Sequence, residues 1–286
     1  MSVDSDFDNM TAIDRLVVIM TMLRDKQHGC PWDLEQSIKS LLPYTLEEVY
    51  EVADAIENND LVELEDELGD LLFQVIFYAQ IAKEQGAFDF QDIAAAISSK
   101  LLRRHPHVFP DGDMKKFGIP QNISADQVVV NWEAIKEVER EEKRKKGGKK
   151  ASQQLESLLD DVPRALPAME RARKLQKRAA QVGFDWAGIG PVLEKLKEEV
   201  QEFEEALAGG DAERMSDELG DVLFAAVNLA RHSKIEPEVA LRSANRRFEV
   251  RFKWIEVALT AKGRSLKEAS LEELDMLWDE AKASGL

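Results

Sequence analysis

Apolar residues along this chain recur every three or four positions, which is the spacing that places side chains on one face of an α-helix. The stretches 46–56 and 193–207 show this spacing most clearly. The residues between the apolar positions are rich in glutamate, lysine, glutamine and alanine, which favour helices. Alternating strand patterns bounded by Asn-Gly or Asp-Gly turns are nearly absent. The pattern therefore predicts an all-α protein.

The sequence also repeats itself on either side of a highly charged segment. The first half contains EEVYE at 47–51 and DELGD at 66–70, and the second contains EEVQE at 198–202 and DELGD at 217–221. Both blocks recur after 151 residues. This repeat predicts two tandem helical domains, residues 1–136 and 155–286. The charged segment 137–154 is interpreted as a helix end that runs into a solvated linker.

Each copy places its two acidic blocks on either side of a turn, at residues 58–60 and 209–211. If the flanking helices form an antiparallel hairpin, facing residues are equally distant from the centre of the turn. The facing pairs would be Glu48 with Asp70 and Glu51 with Glu67 in the first copy, and Glu199 with Asp221 and Glu202 with Glu218 in the second. Four carboxylates would then converge about two helical turns from each hairpin tip.

Converging carboxylates repel one another, and burying them without a counter-charge is costly. Mg²⁺ is a hard ion that takes oxygen ligands and keeps positions open for water or phosphate oxygens. The alternative is that each acidic run is only a solvated helix face. That alternative does not explain why the constellation occurs twice, or why apolar residues such as Leu68 and Leu219 flank it. The spacing therefore favours a metal site in each copy.

Basic residues near the second acidic block could bind phosphate groups. Arg247 and Arg251 are four positions apart on a later helix, and Lys195 lies one turn before the acidic block. Such a pair is usually a surface feature, but beside a carboxylate cluster it becomes a candidate phosphate clamp. Lys100 and Arg104 are the equivalents in the first copy, where tyrosine occupies the position of Lys195.

Composition and charge exclude several other classes of protein. The 286 residues carry 38 Lys+Arg against 55 Asp+Glu, a formal net charge of −17. This acidity argues against a partner that is nucleic acid or an anionic membrane. No apolar run reaches about 18 residues, so we expect a cytoplasmic protein. The single cysteine, Cys30, argues against a disulfide framework, no zinc-ligand pattern accompanies the histidines, and no Walker phosphate-binding loop is present.

The combination of EExxE and ExxD, found twice, resembles the MazG family of all-α nucleoside triphosphate pyrophosphohydrolases. Further matches are HGCPWD at 28–33, RRHPHVF at 103–109 and VGFDW at 182–186. The resemblance implies two tandem MazG-type helical bundles completed by homodimerisation. It also implies Mg²⁺-dependent hydrolysis of nucleoside triphosphates to monophosphate and pyrophosphate, with broad tolerance of the base.

The resemblance also implies roles for individual residues. The metal ligands would be Glu199, Glu202, Glu218 and Asp221 in the second copy, and Glu48, Glu51, Glu67 and Asp70 in the first. Glu198 and Glu47 would hold a second ion or orient the attacking water. Lys195, Arg247, Arg251 and Lys282 would contact phosphates, and Trp278 would face the base or sugar. The equivalents in the first copy would be Lys100, Arg104, Trp132 and Lys136.

The two copies need not be equally active. The second copy has the complete set of candidate residues, including Lys195, so we expect it to carry the main site and the first copy to be weak or structural. Two other functions stay open at this point. One is a non-catalytic helical regulator that binds nucleotides or a protein through its acidic faces, and the other is a narrower dNTP or dUTP pyrophosphatase.

Overall fold

The chain is built from α-helices joined by turns and short 3-10 helices. The computed structural model describes residues 7–118, 123–146, 157–160 and 162–286, and no β-strand occurs among them. The predicted all-α fold is confirmed. The chain divides into two compact units, residues 1–149 and 150–286.

The first unit contains six α-helices within the described residues. They are α1 (Ala12–Leu23), α2 (Pro31–Glu35), α3 (Leu42–Asn58), α4 (Leu61–Glu84), α5 (Phe90–Arg104) and α6 (Ala125–Lys146). Helix α3 packs along α4, and α1 packs against the second half of α4 through an apolar core. The core residues are Met20, Leu41, Ile76, Phe77 and Ile81.

The second unit contains five α-helices within the described residues. They are α7 (Ala168–Gln181), α8 (Ile189–Gly209), α9 (Ala212–His232), α10 (Pro237–Ala261) and α11 (Leu271–Ala283). Helix α8 packs along α9, and α7 packs against α9. Ile255, Leu259 and Leu277 form an apolar core between α10 and α11. Among the helices that the structure describes, none is long and apolar enough to cross a lipid bilayer.

Helix α6 extends beyond the predicted end of the first domain at residue 136. It continues to Lys146, so residues 137–146 of the predicted linker are helical. Their Glu, Lys and Arg side chains favour helix, and Glu139 pairs with arginines of α5, which anchors this part of α6 to the first unit. The rest of the predicted linker, residues 147–154, lies outside the described residues.

Both hairpin turns use the same local devices to reverse the chain. Asn59 and Gly210 end α3 and α8 with φ angles of 55° and 69°, a left-handed conformation that glycine adopts freely and asparagine tolerates. The next residue caps the following helix. Asp60 accepts hydrogen bonds from the first-turn amides of α4, and Asp211 does the same for α9. The two turns therefore fix the register of both helix pairs in the same way.

Candidate active site

Three carboxylates of the second unit converge between α8 and α9. Glu199, Glu202 and Glu218 each offer an oxygen, and these oxygens lie within 4.8 Å of one another. An octahedral Mg²⁺ holds its ligands at about 2.1 Å, so opposite ligands are about 4.2 Å apart. A small side-chain adjustment would bring the three oxygens onto one ion. A set of carboxylate oxygens is also the donor chemistry that Mg²⁺ prefers, so these residues fit the metal.

The charged side chains of this cluster shift one another's pKa values. A hydrogen bond between the Glu199 and Glu202 carboxyl groups, together with burial, raises the pKa of Glu202. Lys195 Nζ lies 2.9 Å from Glu199 Oε1 and 2.8 Å from Glu198 Oε1. These two carboxylates raise the pKa of Lys195, so the lysine stays charged at neutral pH. The second unit thus supplies two internal cations beside its acidic cluster, Lys195 and Arg214, whose Nε lies 3.3 Å from Glu218 Oε1.

The first unit forms a corresponding cluster between α3 and α4. Oxygens of Glu48, Glu67 and Asp70 lie within 4.8 Å of one another. Burial, followed by the charges of Asp70 and Glu51, raises the pKa of Glu48. Burial and the charge of Glu51 likewise raise the pKa of Glu67. A cation bound at these three carboxylates would relieve this repulsion.

Each cluster contains three of the four carboxylates that the hairpin register placed together. Glu51 lies outside the first cluster, although its charge acts on the facing Glu67. Asp221 lies outside the second cluster but lines the same cavity as Glu199 and Lys195. Glu47 and Glu198 are exposed. The roles of all these residues as ligands stay predictions.

The two units differ at Arg214, which pairs with Glu218 and corresponds to Glu63, and at two further positions near the clusters. Where the second unit has Lys195, the first has Tyr44, whose ring packs edge-on against Trp32 at 5.6 Å. Where the second has the small Ala225, the first has Gln74, a buried side chain whose amide donates to Glu48 Oε1 at 3.4 Å. At these two positions the first unit therefore has two neutral side chains, whereas the second has a cation at one of them.

The other basic and aromatic candidates of the second unit lie on α10 and α11. Arg247 donates to Ser243 Oγ at 2.7 Å, and Lys282 pairs with Asp279 at 3.0 Å. The Arg251 guanidinium lies over the Trp278 ring, 5.5 Å from its centroid. Within the described residues, the hydrogen bonds and ring contacts of these four candidates stay within α10, α11 and the residues that follow. The structure therefore does not bring them onto the acidic cluster of this unit.

In the first unit, one arginine candidate is already paired with a carboxylate. Arg104 Nη2 lies 2.5 Å from Glu139 Oε2, and Arg103 Nη2 lies 2.5 Å from Glu139 Oε1. The two arginines hold the pKa of Glu139 at about 2. Trp132 packs edge-on against His105 at 5.2 Å, Lys100 is exposed, and Lys136 lies one turn after Trp132 on α6. The Arg104 guanidinium is thus already paired with the Glu139 carboxylate.

A cavity of about 590 Å³ opens beside the acidic cluster of the second unit. Lys195, Glu199 and Asp221 line one part of it, and aromatic and aliphatic side chains line much of the rest. Its volume falls in the range of small-molecule sites. The cavity therefore has a charged end, with a lysine and two carboxylates, next to a largely apolar wall.

Comparison with known proteins decides the family. The sequence profile of the MazG nucleotide pyrophosphohydrolase domain matches residues 36–109 and 191–255, one segment in each unit. The nucleoside triphosphate pyrophosphohydrolase of Escherichia coli strain K12 is 48% identical over 275 residues, which cover 96% of this chain and 98% of that protein. The chain belongs to the MazG family. It is thus a member of a family of nucleotide pyrophosphohydrolases, and both acidic hairpins lie within the matching segments.

Two further MazG relatives come from Thermotoga maritima. The nucleoside triphosphate pyrophosphohydrolase/pyrophosphatase MazG is 41% identical over 269 residues, covering 94% of this chain and 95% of that protein. The other is a mazG-related protein with a crystal structure, which is 30% identical in sequence to this chain. The match covers 43% of this chain and 98% of that chain, with a TM-score of 0.35.

Several residues that line the cavity, or contact its lining, were not among the site residues predicted from the sequence. The Arg231 guanidinium forms a bidentate ion pair with the Asp185 carboxylate and also donates a hydrogen bond to Asn228 Oδ1. His232 Nε2 lies 2.9 Å from Asp185 Oδ1. The arginine and histidine lower the pKa of Asp185. Asp221, Phe224, Asn228 and Arg231 follow one another at helical spacing on α9. That stripe was the signal that could have placed Asn228 and Arg231 near the site.

Proposed function

We propose that this chain hydrolyses nucleoside triphosphates to nucleoside monophosphate and pyrophosphate, with Mg²⁺ as its cofactor and a broad range of bases. The observation that carries the proposal is the second acidic cluster, where Glu199, Glu202 and Glu218 converge beside Lys195 at the edge of a cavity. Membership of the MazG family and the names of its curated relatives support this reaction.

The proposed ligands of Mg²⁺ are Glu199, Glu202, Glu218 and Asp221. Bound Mg²⁺ supplies positive charge that neutralises the triphosphate and the leaving pyrophosphate. Lys195 is held by Glu198 and Glu199, and from there its ammonium group can contact a phosphate oxygen. Glu198 is 58% exposed and can orient water at the cluster. The carboxylates would hold the ion and Lys195 would contact the phosphates, so that the triphosphate is positioned for hydrolysis of the bond between its α and β phosphates.

We assign the main activity to the second unit. Lys195 supports this choice, because a triphosphate approaching carboxylates needs a nearby cation. The first unit presents the neutral Tyr44 and Gln74 at the corresponding borders, and Arg104 is paired with Glu139. The first cluster is therefore proposed as a weak or structural cation site.

We further propose that two copies of the chain form a homodimer. Both acidic hairpins carry the same stripe of exposed apolar residues, displaced by 151 residues. The stripe comprises Leu42, Val49, Ile56, Leu68 and Leu72 in the first unit and Leu193, Val200, Leu207, Leu219 and Leu223 in the second. Extended apolar surface of this kind favours association. Light scattering should give twice the 32.3 kDa chain mass, and Val200→Glu should shift the mass towards the monomer.

The reaction is tested by product analysis. With Mg²⁺ and a panel of ribo- and deoxyribonucleoside triphosphates, the chain should release monophosphate and pyrophosphate without free phosphate as a primary product. Glu202→Gln and Glu218→Gln should each lower turnover by at least about 100-fold, because removing a ligand costs more than disturbing its supporting hydrogen bonds. Glu204→Gln, a change at an exposed position of α8 two residues after Glu202, is the matched control and should retain turnover.

The same panel separates the alternatives. Binding of triphosphates without turnover would favour a non-catalytic regulator, and turnover confined to dUTP or a few dNTPs would favour a narrow pyrophosphatase. Full activity of both the Glu202 and Glu218 variants would contradict the proposed site.

A further inference from the structure

The cavity of the second unit contains a buried amide whose hydrogen bonding is incomplete. Gln176, on α7, is only 8% exposed. Its Nε2 donates to the backbone oxygen of Phe224 on α9 at 2.8 Å. Because a backbone carbonyl can only accept, this contact fixes which end of the amide is the NH₂ group. The other end, Oε1, is buried and has no hydrogen-bond partner among the described residues.

A buried acceptor without a donor is unfavourable, so its persistence calls for an explanation. Gln176 is one of the residues that line the cavity, and the walls around it are largely apolar and aromatic, including Leu175, Phe184, Trp186 and Phe224. Lys195 and Glu199 line the same cavity. A ligand that places phosphates near Lys195 can therefore extend a flat ring among these side chains.

We propose that this cavity receives the nucleobase and that Gln176 Oε1 accepts a hydrogen bond from an N–H group of the base. The inference rests on the proposed function, because it is the triphosphate that brings the base to this end of the cavity. Helix α7 lies outside both segments that match the family profile. The assignment therefore comes from the amide, its fixed orientation and the cavity.

A single hydrogen-bond acceptor such as Gln176 Oε1 explains why many different bases would be accepted. It also predicts which bases would be rejected. Adenine and cytosine present an amino group, uracil and thymine a ring N–H, and guanine both, so every common base can donate one hydrogen bond. A base without any N–H cannot, and its binding would leave Oε1 buried and unpaired. Sites that hydrogen-bond a substrate group discriminate strongly against analogues that lack it.

The test compares two triphosphates that differ in that group alone. Purine riboside triphosphate has the adenine ring system without its amino group. The wild-type chain should prefer ATP over this analogue by about 10- to 100-fold in kcat/KM. Gln176→Met, which keeps the length of the side chain but has no amide, should bring this ratio to within about threefold of one. Gln181→Met makes the same change on an exposed residue of α7 and should keep the wild-type ratio.

Each outcome has a distinct meaning. Equal hydrolysis of ATP and purine riboside triphosphate by the wild-type chain would overturn the inference and leave the proposed reaction intact, as would persistent discrimination in Gln176→Met. Absence of turnover with every nucleotide would instead contradict the proposed reaction. If Gln176→Met does not fold, CTP and the triphosphate of pyrimidin-2-one riboside, tested on the wild-type chain, repeat the comparison with a pyrimidine.

Discussion

Lys195 Nζ lies 2.9 Å from the carboxylate of Glu199, which is one turn further along α8 and belongs to the second acidic cluster. The lysine therefore partly neutralises a carboxylate that we assign to Mg²⁺. Its positive charge opposes binding of a free cation and favours binding of an anionic triphosphate. These two effects have opposite signs, and each can be measured.

Lys195→Gln should bind Mn²⁺ or Mg²⁺ more tightly in the absence of nucleotide, by about 3- to 10-fold, because a nearby positive charge is removed. The same variant should lose at least about tenfold in kcat/KM for ATP, since the phosphates lose a charged partner. Calorimetry and steady-state kinetics measure the two effects. Lys197→Gln removes an exposed lysine that pairs with Glu194 on the same helix, and it should change neither quantity.

Glu67 and Glu218 occupy equivalent positions in the two acidic hairpins, which makes them a matched pair for locating the activity. Glu218→Gln should lower kcat by at least about 100-fold, whereas Glu67→Gln should change it by less than about threefold. The physical reason is that only the second cluster has Lys195 beside it. Equal losses in both variants would show that the two units share the work, and a larger loss in Glu67→Gln would reverse the assignment.

The pairing of Glu139 with Arg103 and Arg104 should make the first unit sensitive to acid. The pKa of Glu139 falls from its usual 4.5 to about 2 in the folded chain. Its stabilising contribution is therefore complete above about pH 4.5 and is lost as the pH falls towards 2. Glu139→Gln should lower the free energy of unfolding at pH 7, because the variant loses both ion pairs. The loss should be limited to about 1–2 kcal/mol, since the arginines are partly exposed and solvent weakens the pairs.

Urea unfolding at pH 7, 5, 4 and 3 would measure this effect. The difference between the wild type and Glu139→Gln should be constant above about pH 5 and should shrink below it. Glu142→Gln, which alters an exposed carboxylate on α6, serves as the control and should show no comparable pH dependence. A difference that is unchanged at pH 3 would contradict the assigned ion pairs.

Asp211 should contribute to the stability of the hairpin that presents the second cluster. Its side chain accepts hydrogen bonds from Glu213 N and Arg214 N at 3.1 Å each. Asp211→Ala should lower the free energy of unfolding by about 1 kcal/mol, the usual effect of losing a helix N-cap. Asp211→Asn keeps a side-chain oxygen at this position and should restore most of the loss. Thermal unfolding compares the three chains.

The fold and the acidic clusters could be predicted from sequence because they depend on local spacing. Residues three or four apart share a helix face, and a short turn sets which residues of two helices face each other. The repeat supplied a second, independent copy of the same arrangement. The sequence predicted a helix end within residues 137–154 but not that α6 continues to Lys146, because this charged segment has no apolar face to indicate where packing stops.

The sequence by itself determined the helical class, the duplication and the facing of Glu48 with Asp70 and of Glu202 with Glu218. Only the tertiary structure decided the ion pairs of Arg104 with Glu139 and of Arg231 with Asp185. It also decided that the Gln176 amide donates a hydrogen bond to the backbone oxygen of Phe224. These contacts join residues 35 to 48 positions apart on different elements. No local periodicity encodes such pairs, because they depend on how the helices pack against one another.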